Sequence, residues 1–240
     1  DLVRELTDAF IRTCGGNKEA IKILITEVDE KNWASGGIIT EDKKNWMMKT
    51  AILFGATGLI GKHLLSLLIE NDEYDKVKIF LRKDIVTKSQ KIEKYVIDFN
   101  ELEKHRDKIV GDDCFFAIGT TRKVTPKKNE YIDVELNLPI KISKITKDNN
   151  VKSFIYVSSG GANVNSRNLY LQNKGKAEQK IINLSFEFTA IIQPSLLLGD
   201  RKENRIGEKI AKFIFKSLSF IFIGKLRPFK AIHAQNVAKA

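Results

Sequence analysis

Between Lys49 and Ile192, short apolar runs alternate with longer stretches in which apolar residues recur at helical spacing. The runs predict strands at Thr50–Phe54, Lys76–Leu81, Lys94–Val96, Cys114–Ala117, Ser153–Val157 and Phe188–Ile192. The amphipathic stretches predict helices at Lys62–Glu70, Glu130–Lys147 and Asn173–Leu184. Strand then helix, repeated over short connections, implies an α/β fold: a doubly wound parallel sheet with helices on both faces. Residues 200–230 are rich in Phe and Ile and suit a lid over a ligand. For Phe213, Phe215, Phe220 and Phe222, core packing is the favoured reading.

The first 46 residues stand apart from this rhythm. Leu2, Leu6, Ala9 and Phe10 share one face of a helix that Gly15-Gly16 ends, and Ile21–Thr26 alternates as a strand. A polar stretch, Asp29–Asn32, leads to Trp33 and Gly36-Gly37, after which Glu41, Asp42, Lys43 and Lys44 mark a linker. One helix and one strand cannot close a core. Residues 1–46 therefore pack on the domain of residues 47–240, pair with another copy, or belong to a larger unit. The chain opens at Asp1 without a methionine and stops at Ala240 inside a helical pattern, so further residues are expected on both sides.

Composition narrows the partners. At 42% hydrophobic and 30% charged residues, the chain reads as an ordinary soluble globular protein. A net charge of +11 would suit a nucleic-acid or membrane partner. The lysines, however, are scattered among acids and asparagines with no basic block, so neither partner is expected. The longest apolar stretch, Phe213–Ile223, is interrupted by Lys216 and is too short to span a bilayer. Cys14 and Cys114 match no metal or redox spacing, and His63, His105 and His233 are isolated, so no metal site is expected. Two distant cysteines and no visible signal peptide fit a cytoplasmic protein.

The candidate chemistry gathers at strand ends. Gly55, Gly58 and Gly61 follow the first strand of the alternating region at G-x-x-G-x-x-G spacing and open a helix, with Thr57, Leu59 and Ile60 between them. A pyrophosphate could lie almost against this backbone. Gly55 would allow the tight turn, Gly58 the close approach, and Gly61 the packing of helix on strand. The helix start would add free N–H groups and a positive dipole end; otherwise these residues make a plain glycine-rich turn. The next strand ends in Arg82-Lys83, about 20 positions on, where an NAD-selective site carries an acid. A guanidinium can grip a 2′-phosphate bidentately, which favours NADP over NAD unless these are simply solvated cations.

Asp98 either accepts a hydrogen bond from the adenine amino group or caps the segment that starts at Asn100. Gly119 would let a cofactor lie over the backbone with Thr120 and Thr121 near its ribose, or these residues form an ordinary turn. Ser158-Ser159 ends a strand, and Tyr170 and Lys174 share a face of the following helix. Lys174 would ease proton loss from Tyr170 and hold the nicotinamide ribose. Tyr170 would pass a proton to a carbonyl oxygen as hydride reaches carbon, and Ser159, or Ser158 instead, would hold that oxygen. Pro194 would help aim its loop across the nicotinamide face.

Over residues 48–240 these motifs resemble the short-chain dehydrogenase/reductase superfamily. Gly119–Arg122, Ser158-Ser159, Leu169–Gln172, Lys174-Gly175 and Gly199-Asp200-Arg201 are most similar to its atypical branch of Tat-interactive-protein type, and Glu203 and Arg205–Glu208 extend the likeness. The resemblance implies a Rossmann fold that binds NADP at the strand ends, with the serine, tyrosine and lysine in the roles above. Two positions depart from the pattern. Glu135 falls about where many members carry the asparagine of a proton relay, and Gln193 replaces an arginine before Pro194.

The segment from Leu2-Val3-Arg4-Glu5 through Ile25–Val28 to Asn32-Trp33 and Gly36-Gly37 resembles tautomerases of 4-oxalocrotonate type, a small α+β unit. In that family an amino-terminal proline is the base, helped by arginines and an aromatic residue. Lys22 and Trp33 fall at one arginine position and the aromatic position, and the proline would precede Asp1. The leading expectation is an NADP-dependent oxidoreductase acting on a small carbonyl or its alcohol, homo-oligomeric and fused to the tautomerase-like segment. Two alternatives stay open: a non-catalytic module that senses NADPH, and a bifunctional tautomerase–reductase.

Overall fold

The computed structural model describes residues 2–14, 34–35, 38–39, 48–195, 197–198 and 232–240. Contacts divide the chain into two compact units, Asp1–Met47 and Met48–Ala240. In the first, α1 (Leu2–Cys14) is the expected opening helix, and β1 (Ala34–Ser35) pairs antiparallel with β2 (Ile38–Ile39). The expected strand Ile21–Thr26 and the two glycine pairs lie outside the described residues.

In the second unit, β3 (Lys49–Phe54), β4 (Tyr74–Leu81), β5 (Ile92–Val96), β6 (Asp113–Phe116), β7 (Ser153–Val157) and β8 (Phe188–Ile192) build one sheet. Its order is β5-β4-β3-β6-β7-β8 and every neighbouring pair is parallel. This is the Rossmann-type order. The winding reverses between β3 and β6, the place where such sheets bind ligands.

Alternation along β3 sends Ile52 and Phe54 into one layer and Ala51 and Leu53 into the other. All four are 0% exposed, which is why this run tolerates no polar residue. The first layer is closed by α4 (Leu138–Asp148) through Ile142 and Ile145 and by α5 (Leu169–Ile182) through Ala177 and Ile181. The second is closed by α2 (Gly61–Glu70) through Leu64 and Leu68.

Strand register lays an aromatic row across the first layer. Phe54 pairs with Phe80 and Phe116, Phe80 with Tyr95, and Phe116 with Tyr156. Their ring centroids stand 4.8, 6.3, 5.0 and 5.8 Å apart in that order. Each such contact adds about 0.5–1.5 kcal/mol beyond buried area. The row lies near the carboxyl ends of the strands.

Several boundaries differ from expectation. β4 and β5 begin earlier, at Tyr74 and Ile92. Residues Phe99–Lys108 form a 3₁₀ helix whose charged sequence buries only Leu102 and so carries little apolar signal. The helix expected over Glu130–Lys147 is three pieces: α3 (Lys128–Ile132), a π turn (Asp133–Asn137) and α4. α5 starts at Leu169 rather than Asn173, because the Asn168 side-chain oxygen accepts from the N–H groups of Tyr170 and Leu171 at 2.9 and 3.3 Å.

Near the end, β9 (Leu197–Leu198) pairs parallel with β10 (Ile232–His233), and α6 (Ala234–Lys239) follows. Ala234 and Val237 join Ile60 in a third apolar cluster beside the start of α2. The expected lid over residues 200–230, with its phenylalanines, lies outside the described residues. Cys114 is fully buried, and burial pushes its thiol pKa up. No described helix is long and apolar enough to cross a membrane.

Candidate functional site

The strand ends around the reversal enclose a cavity of about 1010 Å³. β3 leaves the sheet through Gly55, whose φ of +96° is a left-handed conformation that favours glycine. The Gly58 N–H closes the turn onto the Gly55 carbonyl at 2.9 Å. A Cβ on Gly55 would lie 2.7 Å from the Ala117 carbonyl carbon, and one on Gly61 only 1.9 Å from the Gly55 oxygen. Both glycines therefore let backbone touch backbone, between β3 and the end of β6 and between β3 and α2.

Gly58 is different: it lines the cavity together with Thr57, Leu59 and Ile60. Ile60, at the N-cap of α2, brings no side-chain hydrogen bond, and the first turn carries no acid. The Lys62 and His63 N–H groups donate to the Gly58 and Ile60 carbonyls at 3.1 and 3.0 Å, so what the start of α2 offers a pyrophosphate is its positive dipole end and the N–H groups that precede them.

Arg82, just past β4, lines the same cavity, and Lys62 joins it from α2. Lys83 is exposed and outside the lining. The sequence reading missed Lys62 because one lysine in a lysine-rich chain carries no signal of its own. Asp98 takes the capping role: its carboxylate accepts from the Asn100 N–H at 2.9 Å, while the residue also lines the cavity.

After β6, residues Gly119, Thr120 and Thr121 continue the wall. The Thr120 N–H donates to Glu135 Oε1 at 2.6 Å, and the Thr120 and Thr125 hydroxyls share a hydrogen bond of 2.7 Å. Tyr170 and Lys174 reach the cavity from α5. Lys174 Nζ stands 3.1 Å from Glu135 Oε2 and 3.4 Å from the Val157 carbonyl. It lies 4.9 Å from the centre of the Tyr156 ring and 6.0 Å from that of Tyr170. Burial, followed by the Glu135 charge, raises the phenol pKa of both Tyr156 and Tyr131, so each stays neutral.

Of the two serines, Ser158 lines the cavity and Ser159 does not. The Ser158 hydroxyl donates to Glu178 Oε1, and Gln193 Nε2 donates to both Glu178 oxygens at 2.9 and 3.0 Å. Glu178 lies one turn beyond Lys174 on α5, a spacing from which sequence reasoning could have found it. The Ser159 carbonyl accepts from the Ala162 N–H in the following turn. Pro194 is buried and outside the cavity lining, its carbonyl accepting from the Gly160 N–H at 2.8 Å. Among the described residues, no three His, Cys, Asp or Glu side chains gather as metal ligands would.

A family model described as NAD(P)H-binding matches residues 55–219. The chain belongs to this family. A second model, described as Tautomerase enzyme, matches residues 1–43. The resemblances read from the motifs thus hold for both parts of the chain. Protein HTATIP2 of Rattus norvegicus is 32% identical over 174 residues, 71% of this chain and 72% of that protein. Protein FMP52, mitochondrial, of Candida albicans is 31% identical over 200 residues, 80% of this chain and 86% of that one.

Among solved structures, the Bordetella bronchiseptica enzyme WbmH in complex with NAD+ superposes with a TM-score of 0.57 at 15% identity, covering 80% of this chain and 70% of that one. Pen from Bacillus thuringiensis superposes with a TM-score of 0.59 at 17% identity, covering 80% and 64%. At these identities the structures speak for the Rossmann-type fold alone. The word mitochondrial in the FMP52 name does not fit a plainly cytoplasmic assignment.

Proposed function

We propose that this member of the NAD(P)H-binding family is an NADP-dependent oxidoreductase of the short-chain dehydrogenase/reductase type, exchanging hydride with a small carbonyl compound or its alcohol. One observation carries the reading. A single cavity follows the strand order β4, β3, β6, β7, with Arg82 and Lys62, the glycine turn, the Thr120 loop, and then Tyr170 with Lys174. Two cations occupy the end where a 2′-phosphate would lie. The nearest acid past β4, Asp84, is bonded to Lys94 at 2.8 Å and stands outside the lining.

A bound NADPH supplies the hydride. Thr57 to Ile60 and the start of α2 would receive its pyrophosphate, Asp98 its adenine edge, and Thr120, Thr121 and Lys174 its ribose hydroxyls. Tyr170 would give its phenolic proton to the substrate oxygen. Two distant cysteines suit any reducing compartment, the cytosol and the mitochondrial matrix alike.

The test is titration of the wild type and of Arg82→Ala with NADPH and NADH. Loss of a charge-assisted phosphate contact worth about 2 kcal/mol should weaken NADPH roughly 30-fold and leave NADH unchanged. Equal wild-type affinity for both nucleotides would end the NADP assignment. A second reading, a non-catalytic NADPH sensor, is favoured by the Ser158 hydrogen already given to Glu178. That serine then offers a substrate oxygen lone pairs rather than a donor. Tight NADPH binding with no oxidation by a panel of aldehydes and ketones would decide for the sensor.

A further inference from the structure

We infer that Glu135 is a positioning residue of the cofactor site, whose carboxylate holds the Lys174 ammonium in place and ties it to the Thr120 loop. The inference rests on the oxidoreductase reading above. Glu135 sits in the π turn Asp133–Asn137 between α3 and α4. Such single turns insert a residue into a helix and recur at functional sites. The side chain is 0% exposed, and burial of a carboxylate is costly unless its oxygens are partnered. Here one oxygen accepts the Thr120 N–H at 2.6 Å and the other stands 3.1 Å from Lys174 Nζ.

The donors of Lys174 complete the argument. An ammonium has three N–H groups. One donates to the Val157 carbonyl, while Glu135 Oε2 faces the ammonium as an ion pair at 3.1 Å without a hydrogen bond of its own, so N–H groups remain for a ligand hydroxyl on the cavity wall. Without the carboxylate, an ammonium whose side chain is 3% exposed would keep, among the described residues, the Val157 carbonyl and the faces of Tyr156 and Tyr170 but no balancing charge. Glu178, on the same helix, is engaged instead by Ser158 and Gln193. An asparagine at this place could hydrogen-bond the loop but could not balance the lysine charge. One side chain thus locks three elements around the nicotinamide end: the loop after β6, the π turn and α5.

The test is a double-mutant cycle on the full chain: wild type, Glu135→Gln, Lys174→Met and the double variant. Glutamine keeps an acceptor for the Thr120 N–H and removes only the charge. NADPH affinity is read by fluorescence titration, and turnover by NADPH oxidation with 4-nitrobenzaldehyde as probe. Glu135→Gln is expected to weaken NADPH at least fivefold when Lys174 is present and less than twofold in the Lys174→Met background. It should also lower kcat more than tenfold without a matching rise in the aldehyde KM. An equal loss in both backgrounds, unchanged affinity or tighter binding would overturn the assignment, since the carboxylate would then serve only the loop or the fold. Should Glu135→Gln not melt cooperatively, the same cycle with Glu135→Asp, which retracts the charge by one methylene, is judged by the same criterion. If the wild type oxidises no NADPH with this probe or with the panel of aldehydes and ketones, the oxidoreductase reading fails, while the binding cycle still decides the role of Glu135.

Discussion

Replacing Gly61 by alanine should damage the fold, whereas replacing Gly58 should damage only ligand binding. A Cβ on Gly61 would sit 1.9 Å from the Gly55 oxygen and 2.7 Å from its carbonyl carbon. Both atoms are backbone, and Gly61 is buried at the start of α2, so strand and helix must move apart. Overpacking of this kind costs about 3 kcal/mol, which in a domain of this size lowers the melting temperature by roughly 6–12 °C.

A Cβ on Gly58 meets the Gly55 oxygen at 3.2 Å and the Ala117 oxygen at 3.7 Å, and its backbone is not left-handed. A shift of a few tenths of an ångström relieves that contact, for less than about 1 kcal/mol. The added methyl, however, stands on the cavity wall where a pyrophosphate would approach. A loss of about 1.4 kcal/mol there is a tenfold weaker NADPH complex. Thermal melts without nucleotide, followed by NADPH titration, separate the two effects. Equal melting losses in both variants would refute the geometry of the β3–α2 contact. Normal NADPH affinity in Gly58→Ala would remove the pyrophosphate from this turn.

Tyr170→Phe should cut turnover by roughly 10²- to 10⁴-fold, the usual contribution of a positioned proton donor, and leave NADPH affinity within about twofold. NADPH oxidation measured beside a binding titration checks this, and normal turnover would withdraw the proton from Tyr170. Lys78, 9% exposed on β4, has its pKa lowered chiefly by burial, so the folded chain disfavours its charged form. Below the folded pKa this cost is fully present, and it is relieved as pH rises towards the ordinary value of 10.5, because the unfolded chain binds more protons in that window. Lys78→Met should therefore stabilise the protein by about 1 kcal/mol at neutral pH, and the gain should shrink as pH rises. Urea unfolding at neutral and alkaline pH measures it; a gain independent of pH would point to packing instead.

The sheet and the glycine turn are legible in the sequence for one reason: their constraints are local and leave few residue choices. A strand buried on both faces must be apolar, as Ala51–Phe54 is. Places where backbone meets backbone, Gly55 and Gly61, must lack a Cβ. The pairing of Tyr170 with Lys174 is legible too, because four residues along a helix is one face.

What only the tertiary structure decides is which neighbours from distant parts of the chain each side chain meets. Residue spacing cannot tell that Ser158 rather than Ser159 reaches the cavity, since a shift of one residue where a strand ends reverses the face. It cannot tell that Asp98 spends its carboxylate on a cap, nor that Asn168 starts α5 early, because short side chains bonding to nearby backbone compete with the periodic pattern. Glu135 shows the limit most clearly. In the sequence it is an acid in place of an asparagine. Only the fold, by carrying the Thr120 loop and Lys174 to its two oxygens, makes a buried charge stable there.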